Sequence, residues 1–271
     1  MCSAATYGIG DFFGGLAARR SPATTVLLWS HLLGLLLLLA ATPLISGDAN
    51  GGDLVIGALG GLGGAVGVGL LYKGLSVGPM SVVAPITALL AAAVPVLVGV
   101  VEGERPSAGV VVGMTSALVA IVLVSAEGGG SLRPSDLRGV TFALGAGLGF
   151  GLLFVALSHT GEDSGIWPLV AARLASVTVV GGLAVIGRVP RSAPGSDARS
   201  FTAAAGALDA TANVLNLMAL RAGLLSVVSV LSALYPVGTV VLARIVLKER
   251  FATLQRIGMA IALPAAVLMA I

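Results

Sequence analysis

Apolar residues run along this chain in blocks of roughly 20, each ended by a charge or a Pro, Gly or Ser turn, which is the length of helix that crosses a hydrocarbon core. Ten such blocks predict helices at about 1–17, 24–45, 54–75, 79–101, 107–125, 138–157, 166–187, 201–220, 223–247 and 252–271. The strict apolar and polar alternation of a membrane β-barrel is absent, and lipid offers backbone groups no partners, so the blocks must be helical. The first span is short and starts at Met1, which leads us to expect that the true helix begins further upstream.

Composition removes the soluble alternative. Of the 271 residues, 57% are hydrophobic and 10% charged, with a mean hydropathy of +1.05, far from the balance of a water-soluble fold. The apolar blocks fill the whole chain, so no extramembrane domain is expected behind a single signal segment. Cys2 is the lone cysteine, which excludes an internal disulfide, and the net charge of +3 is spread over short loops, not gathered into a nucleic-acid patch. Arg19, Arg20, Lys73, Arg133, Arg138, Arg188, Arg191, Arg199, Lys248 and Arg250 fall in odd-numbered loops, against Arg105 and Arg221 in even ones. By the positive-inside rule both termini would lie outside the cytoplasm.

The chain also repeats itself at an offset of 145 (249 minus 104). Gly78 matches Gly223, Ser81-Val82-Val83 matches Ser226-Val227-Val228, Val96-Leu97 matches Val241-Leu242, Glu104-Arg105 matches Glu249-Arg250, and Gly113-Met114 matches Gly258-Met259. A second offset, 142, aligns Ser30-His31-Leu32 with Ala172-Arg173-Leu174. The predicted organisation is therefore a first five-helix repeat over 1–127 and a second over 138–271, joined by a short loop at 128–137. Five is odd, so the second repeat enters the membrane inverted, the architecture of alternating-access transporters. A duplicated bundle with no transport role is the plainer alternative.

Several residues then acquire a resemblance. The Tyr7-Gly8 step followed by Asp11-Phe12-Phe13-Gly14-Gly15, Gly78 before a Ser/Val/Pro-rich span, and the Glu104 and Glu249 turns each leading into a Gly-containing last helix are similar to the EamA-like, ten-helix branch of the drug/metabolite transporter superfamily. The resemblance covers essentially the whole chain. It implies a ten-helix inverted-repeat fold in a bacterial inner membrane and movement of small metabolites or drugs, commonly outward. His31 stands where relatives often carry Arg, while Arg173 keeps it in the second half, and members are generally drawn with cytoplasmic termini, contrary to the loop charges.

Ionisable residues inside a span need a reason, because each costs about 2.5–3.5 kcal/mol on insertion scales. Asp11, His31, Arg173, Asp209 and Arg244 are such residues, and Arg256 lies nearer an end. Asp11 between Gly10 and Phe12 can serve as a proton-coupling carboxylate, or as a fixed packing or ion-pair group. Asp209, Asn213 and Asn216, spaced by four and three, share one face of helix eight, a polar stripe that must meet a wet cavity or another helix. Arg173 has Asp209 or Asp11 as its natural counter-charge, for a structural bridge or for a substrate carboxylate. His31 reads as a polar group near a helix end, and Arg244 and Arg256 as snorkelling side chains. Tyr7 and Tyr235 offer hydroxyls and aromatic walls, while Pro236, Pro85 and Pro95 interrupt spans nine and four. Gly57, Gly60, Gly61, Gly64 and Gly67 make helix three a small-residue packing surface. Glu104 and Glu249 read as caps of the helices that follow them, or as partners of the adjacent Arg. The candidate substrate site is thus Tyr7, Asp11, Arg173, Asp209, Asn213, Asn216 and Tyr235.

No zincin motif or nucleotide-binding loop is present, so neither metal, cofactor nor ATP is expected. Gly8-Ile9-Gly10-Asp11 spells the Gly-x-Gly-Asp of intramembrane aspartyl proteases, with Asp209 as second carboxylate. Leu208 instead of Tyr precedes Asp209, and Ala262-Leu263-Pro264 reverses the expected Pro-Ala-Leu. A lipid-intermediate flippase or a non-transporting membrane subunit is the nearer rival. The expected partners are a small molecule (metabolite, amino acid or drug), the bilayer and protons, with no nucleic acid, in a monomer or homodimer.

Overall fold

A computed structural model describes residues 1–45, 47–78, 80–125, 134–190, 192–247 and 253–269, and among them the regular structure is helical throughout, with no strand. The first half carries α1 (Cys2–Ala18), α2 (Ala23–Ala41), α3 (Gly51–Val77), α4 (Met80–Val101) and α5 (Ala108–Ser125). The second carries α6 (Pro134–Ser158), α7 (Trp167–Val185), α8 (Ser196–Ala222), α9 (Leu225–Ser232), α10 (Tyr235–Leu247) and α11 (Thr253–Leu268). Among the described residues, six helices are long and apolar enough to cross a membrane, and shorter apolar helices accompany them. Leu59, Leu97 and Val185 are 64%, 67% and 68% exposed, an outer surface that only lipid can cover. The chain is an all-α integral membrane protein.

Span nine departs from the sequence reading. In place of one helix over 223–247, α9 ends at Ser232 and α10 restarts at Tyr235. Pro236, which lacks a backbone donor, falls in the first turn of α10, where helices tolerate it, so the break precedes the proline. Pro85 and Pro95, expected to interrupt span four, lie inside a continuous α4. The helices α3 and α8 are 27 residues each, longer at both ends than predicted.

The two halves are related by contacts that repeat reciprocally. The helix α3 packs on α6 and α7, and its repeat mate α8 packs on α1 and α2; α5 packs on α11. At residue level, a side chain added at Gly61 would meet the backbone of Ala172, and one added at Gly206 would meet the backbone of Ser30. These are the same contact twice, since Gly61 and Gly206 are related by the 145 offset and Ser30 and Ala172 by the 142 offset. Gly113 lies against Ala265, Leu268 and Met269, and Gly258 against Ala120, Leu123 and Val124, again at the 145 offset. Without side chains at these crossings the backbones approach closely, which is how helices associate where no hydrophobic force acts between them.

Loop contacts fix which ends share a face. On one face the α2–α3, α4–α5, α6–α7 and α8–α9 connections meet. The Asp53 carboxylate accepts from Ser164 Oγ and from Gly161 N–H, the latter at 3.2 Å. Asp48 N–H donates to the Asp163 carbonyl at 2.8 Å, and Trp167 Nε1 to that of Gly47 at 3.0 Å. On the other face Arg19 Nε reaches the Leu75 carbonyl at 3.5 Å, Arg20 that of Asp197 at 3.2 Å, and Gly78 lies against Gly139. Thus α1 ends on the face where α6 begins: the repeats are inverted.

Glu104 does not cap its own following helix. Its carboxylate accepts from the N–H groups of Leu225 at 2.6 Å and Ser226 at 3.1 Å, so it caps α9 in the other half, where a negative charge meets the positive helix end. Lys248, Glu249 and Arg250 lie outside the described residues, as do most of 128–137 and the side chain of Arg244.

Substituting Gly61 or Gly206 by Leu is expected to lower thermal stability by about 1–3 kcal/mol or more through overpacking, whereas Gly182→Leu, with open space around it, should be neutral; thermal unfolding in detergent decides. A second expectation concerns the loop face, where His159 Nε2 pairs with Glu102 Oε1 at 2.8 Å. The hydrogen bond to the Val155 carbonyl, with help from Glu102, raises the His159 pKa above its ordinary value. That contribution to stability is complete below the unfolded value near 6.5 and is lost as pH rises through the folded one. Melting curves at about pH 6 and about pH 8 should therefore differ more for wild type than for His159→Gln.

Candidate functional site

The centre of the bundle lies where α1, α2, α7, α8 and the α9–α10 break converge. Tyr7, Asp11, His31, Arg173, Asp209, Asn213, Ser232 and Tyr235 line two small cavities of about 30 and about 20 Å³. Each has room for one or two waters and no more.

The first cavity holds Tyr7, His31, Arg173, Asp209 and Asn213 against Gly61, Gly64, Phe150, Leu153 and Leu169. The Arg173 guanidinium donates to Asp209 Oδ2, an ion pair with side chains 9% and 17% exposed. Asn213 Nδ2 donates to the Asp209 carbonyl at 2.8 Å and to Oδ1 at 3.2 Å, one turn along the same helix. Arg173 Nε lies in ordinary contact beside Gly34, and Gly64, at the repeat position of Asp209, packs against Leu153, so the first half has no carboxylate there. His31 is the ninth residue of α2, not near its end as the sequence implied, with its Nδ1 2.6 Å from Ser176 Oγ.

The second cavity is lined by Tyr7, Asp11, Asp209, Ser232, Ala233 and Tyr235, with Phe150 and Phe154 as aromatic wall. Tyr7 and Phe154 ring centroids are 6.2 Å apart. Tyr235 donates its hydroxyl to the Ala84 carbonyl at 2.9 Å, so it presents its ring and not its OH. Asp11 makes no hydrogen bond or ion pair with the described residues, although it stands beside the break.

Of the seven predicted site residues, six line these cavities. The seventh, Asn216, is fully buried and accepts from Ser232 Oγ at 2.6 Å, tying α8 to α9. The polar stripe of α8 therefore does both things expected of it: its Asp209 and Asn213 part faces the cavity, its Asn216 part another helix. Sequence reasoning missed Ser176 and Ser232, which nothing distinguishes from the other serines of so apolar a chain. Four buried polar atoms here have no partner among the described residues: Tyr7 Oη, His31 Nε2, Asn213 Oδ1 and Asn216 Nδ2. Buried polar groups are normally bonded, so these four atoms retain the capacity for a further hydrogen bond each.

The sequence model of the EamA-like transporter family matches residues 1–126 and again residues 137–271. The chain belongs to the EamA-like transporter family. This EamA-like protein is matched by no curated protein. Among solved structures, one described as "Crystal structure of protein" is 17% identical, covering 99% of this chain and 98% of its own, with a TM-score of 0.73, so the whole fold is shared. Family membership accounts for the inverted repeat and makes this EamA-like chain a membrane transporter of small molecules.

Removing one member of the buried pair, by Arg173→Gln or Asp209→Asn, should cost about 3–5 kcal/mol, since an unpaired charge is left behind. The double variant should recover most of it. A double-mutant cycle of thermal unfolding measures this, and additive losses would contradict a coupled pair.

Proposed function

We propose that this chain is a secondary active exporter that works by alternating access, with Tyr7, Asp11, Arg173, Asp209, Asn213 and Tyr235 as its substrate site and Asp11 as the proton-coupling group. The observation that carries the reading is Asp11, without a partner among the described residues, bordering one cavity with Asp209 of the Arg173–Asp209 pair and flanked by polar atoms that lack partners there, where the halves 1–127 and 138–271 meet. A bacterial inner membrane is its natural setting.

The pair bears on the substrate. A guest of single charge would separate Arg173 from Asp209 and leave one of them buried and unpaired, at a cost of several kcal/mol. A zwitterion replaces one ion pair with two. Its carboxylate would meet Arg173 and its ammonium Asp209, while Tyr7, His31 and Asn213 offer further hydrogen bonds and Phe150, Phe154 and Tyr235 take an apolar side chain. Among metabolites, amino acids and drugs, this favours amino-acid-like zwitterions. Asp11 then remains free to gain a proton on one face and release it on the other.

The carboxylates of Asp11 and Asp209 border one cavity, the geometry an aspartyl protease would also need. Arg173 opposes that reading, because a dyad must share a proton between its two carboxyls and the Asp209 carboxyl is engaged by the Arg173 guanidinium. A flippase would need the central site to open sideways, and the Ser30–Gly206 crossing closes it between α2 and α8.

Reconstituted vesicles provide the test. Radiolabelled zwitterionic amino acids should move faster under an imposed pH gradient than without one, and faster than a nucleoside or a cationic drug. In Asp11→Asn the pH-driven flux should vanish while substrate exchange persists. Unchanged pH dependence in that variant removes Asp11 from the mechanism, and no flux of any solute sinks the transporter reading.

A further inference from the structure

A third cavity lies apart from the central site. It is an open groove of about 370 Å³ between α2 and the start of α8, lined by Trp29, Leu33, Leu36, Pro194, Arg199 and Ala203 among others. We infer that this groove holds one anionic phospholipid, its acyl chain along α2 and its headgroup phosphate on Arg199.

Depth supports the chain. Helix α2 leaves the arginine-rich face at Ala23, so Trp29, Leu33 and Leu36 stand roughly 9, 15 and 20 Å along it, the span of a leaflet's hydrocarbon. Leu36 is 57% and Trp29 38% exposed, so this wall is open to the bilayer rather than covered by protein. Indole rings favour that headgroup boundary.

Charge supports the headgroup. Arg199 is the fourth residue of α8 and the cation among the groove's lining residues. Its Nε donates to the Pro194 carbonyl at 3.1 Å, which fixes the side chain against the loop and leaves its terminal nitrogens with no partner among the described residues. Arg20, held by the Asp197 carbonyl and stacked 4.7 Å over the Phe201 ring, adds a second positive charge beside the same turn. A planar guanidinium with free donors suits a phosphate, and basic pockets at helix ends recognise anionic lipid headgroups. The occupant is structural and separate from the transported substrate, because Ser30 and Gly206 close the groove from the central cavities.

Trp29 reports on its own surroundings, since the chain has two tryptophans, Trp29 and Trp167. Purified protein, with Trp167→Phe and also with Trp167 retained, is reconstituted in phosphatidylcholine vesicles containing increasing fractions of phosphatidylglycerol or phosphatidylcholine with brominated chains. Trp29 emission should be half-quenched at about fivefold less brominated phosphatidylglycerol than brominated phosphatidylcholine, the discrimination one arginine supplies. Arg199→Gln should bring the two midpoints together, Arg199→Lys should preserve most of the difference, and Ala203→Phe, filling the groove, should weaken quenching by both lipids. Equal midpoints in wild type, a preference that survives Arg199→Gln, or a Trp29 shielded from both lipids by a second copy of the chain would overturn the inference.

Discussion

The constraint on which the molecule depends is the direct crossing of backbones at Gly61 on Ala172 and Gly206 on Ser30. Lipid tails are as apolar as leucine, so burial of apolar surface cannot hold the halves together. What remains is close packing and a few polar bonds, both of which need small residues at the crossings. These two contacts are equivalent under the repeat, and they bring His31 and Arg173 to the same central cavity from opposite halves. They also seal that cavity from the groove outside.

Around this symmetric scaffold the chemistry is asymmetric. One half supplies Gly34, Gly64 and His31, the other Arg173, Asp209 and Asn213, so both partners of the central ion pair come from the second half. A symmetric duplication of the charges would have buried four where two pair off. The broken helix adds to the asymmetry: span four of the first half runs unbroken through its prolines, while its counterpart breaks beside Asp11 and Ser232.

Much of this was legible in the sequence because lipid restricts what a chain can do. Span lengths, the offsets of 145 and 142, and the polar stripe of α8 all follow from periodicity and scarcity, and each corresponds to a contact in three dimensions. The glycines of α3 were readable as packing, although not that they serve two neighbours, Gly57 and Gly61 meeting α7 while Gly60, Gly64 and Gly67 meet α6. What could not be read is long-range and local at once. The capping of α9 by Glu104 joins residues more than a hundred positions apart, so the nearer helix was the natural guess. The break in span nine lies before its proline because the first turn of a helix is where that residue costs nothing. Asn216 belonged to the right stripe but met a serine that no pattern singles out.

The loops of the two faces have a consequence for energetics. In an inverted repeat, the two end states of a rocking motion exchange the roles of the halves, and a perfectly symmetric chain would hold them at equal free energy. Here one face is laced between halves by Asp48, Asp53, His159, Trp167 and Glu104, while the other is crossed by Arg20 reaching Asp197 and Phe201. Among the described residues the two faces are therefore tied by different sets of bonds. The symmetry that would make the two ends of such a motion equivalent is thus broken in this chain, at its loops as well as at its centre.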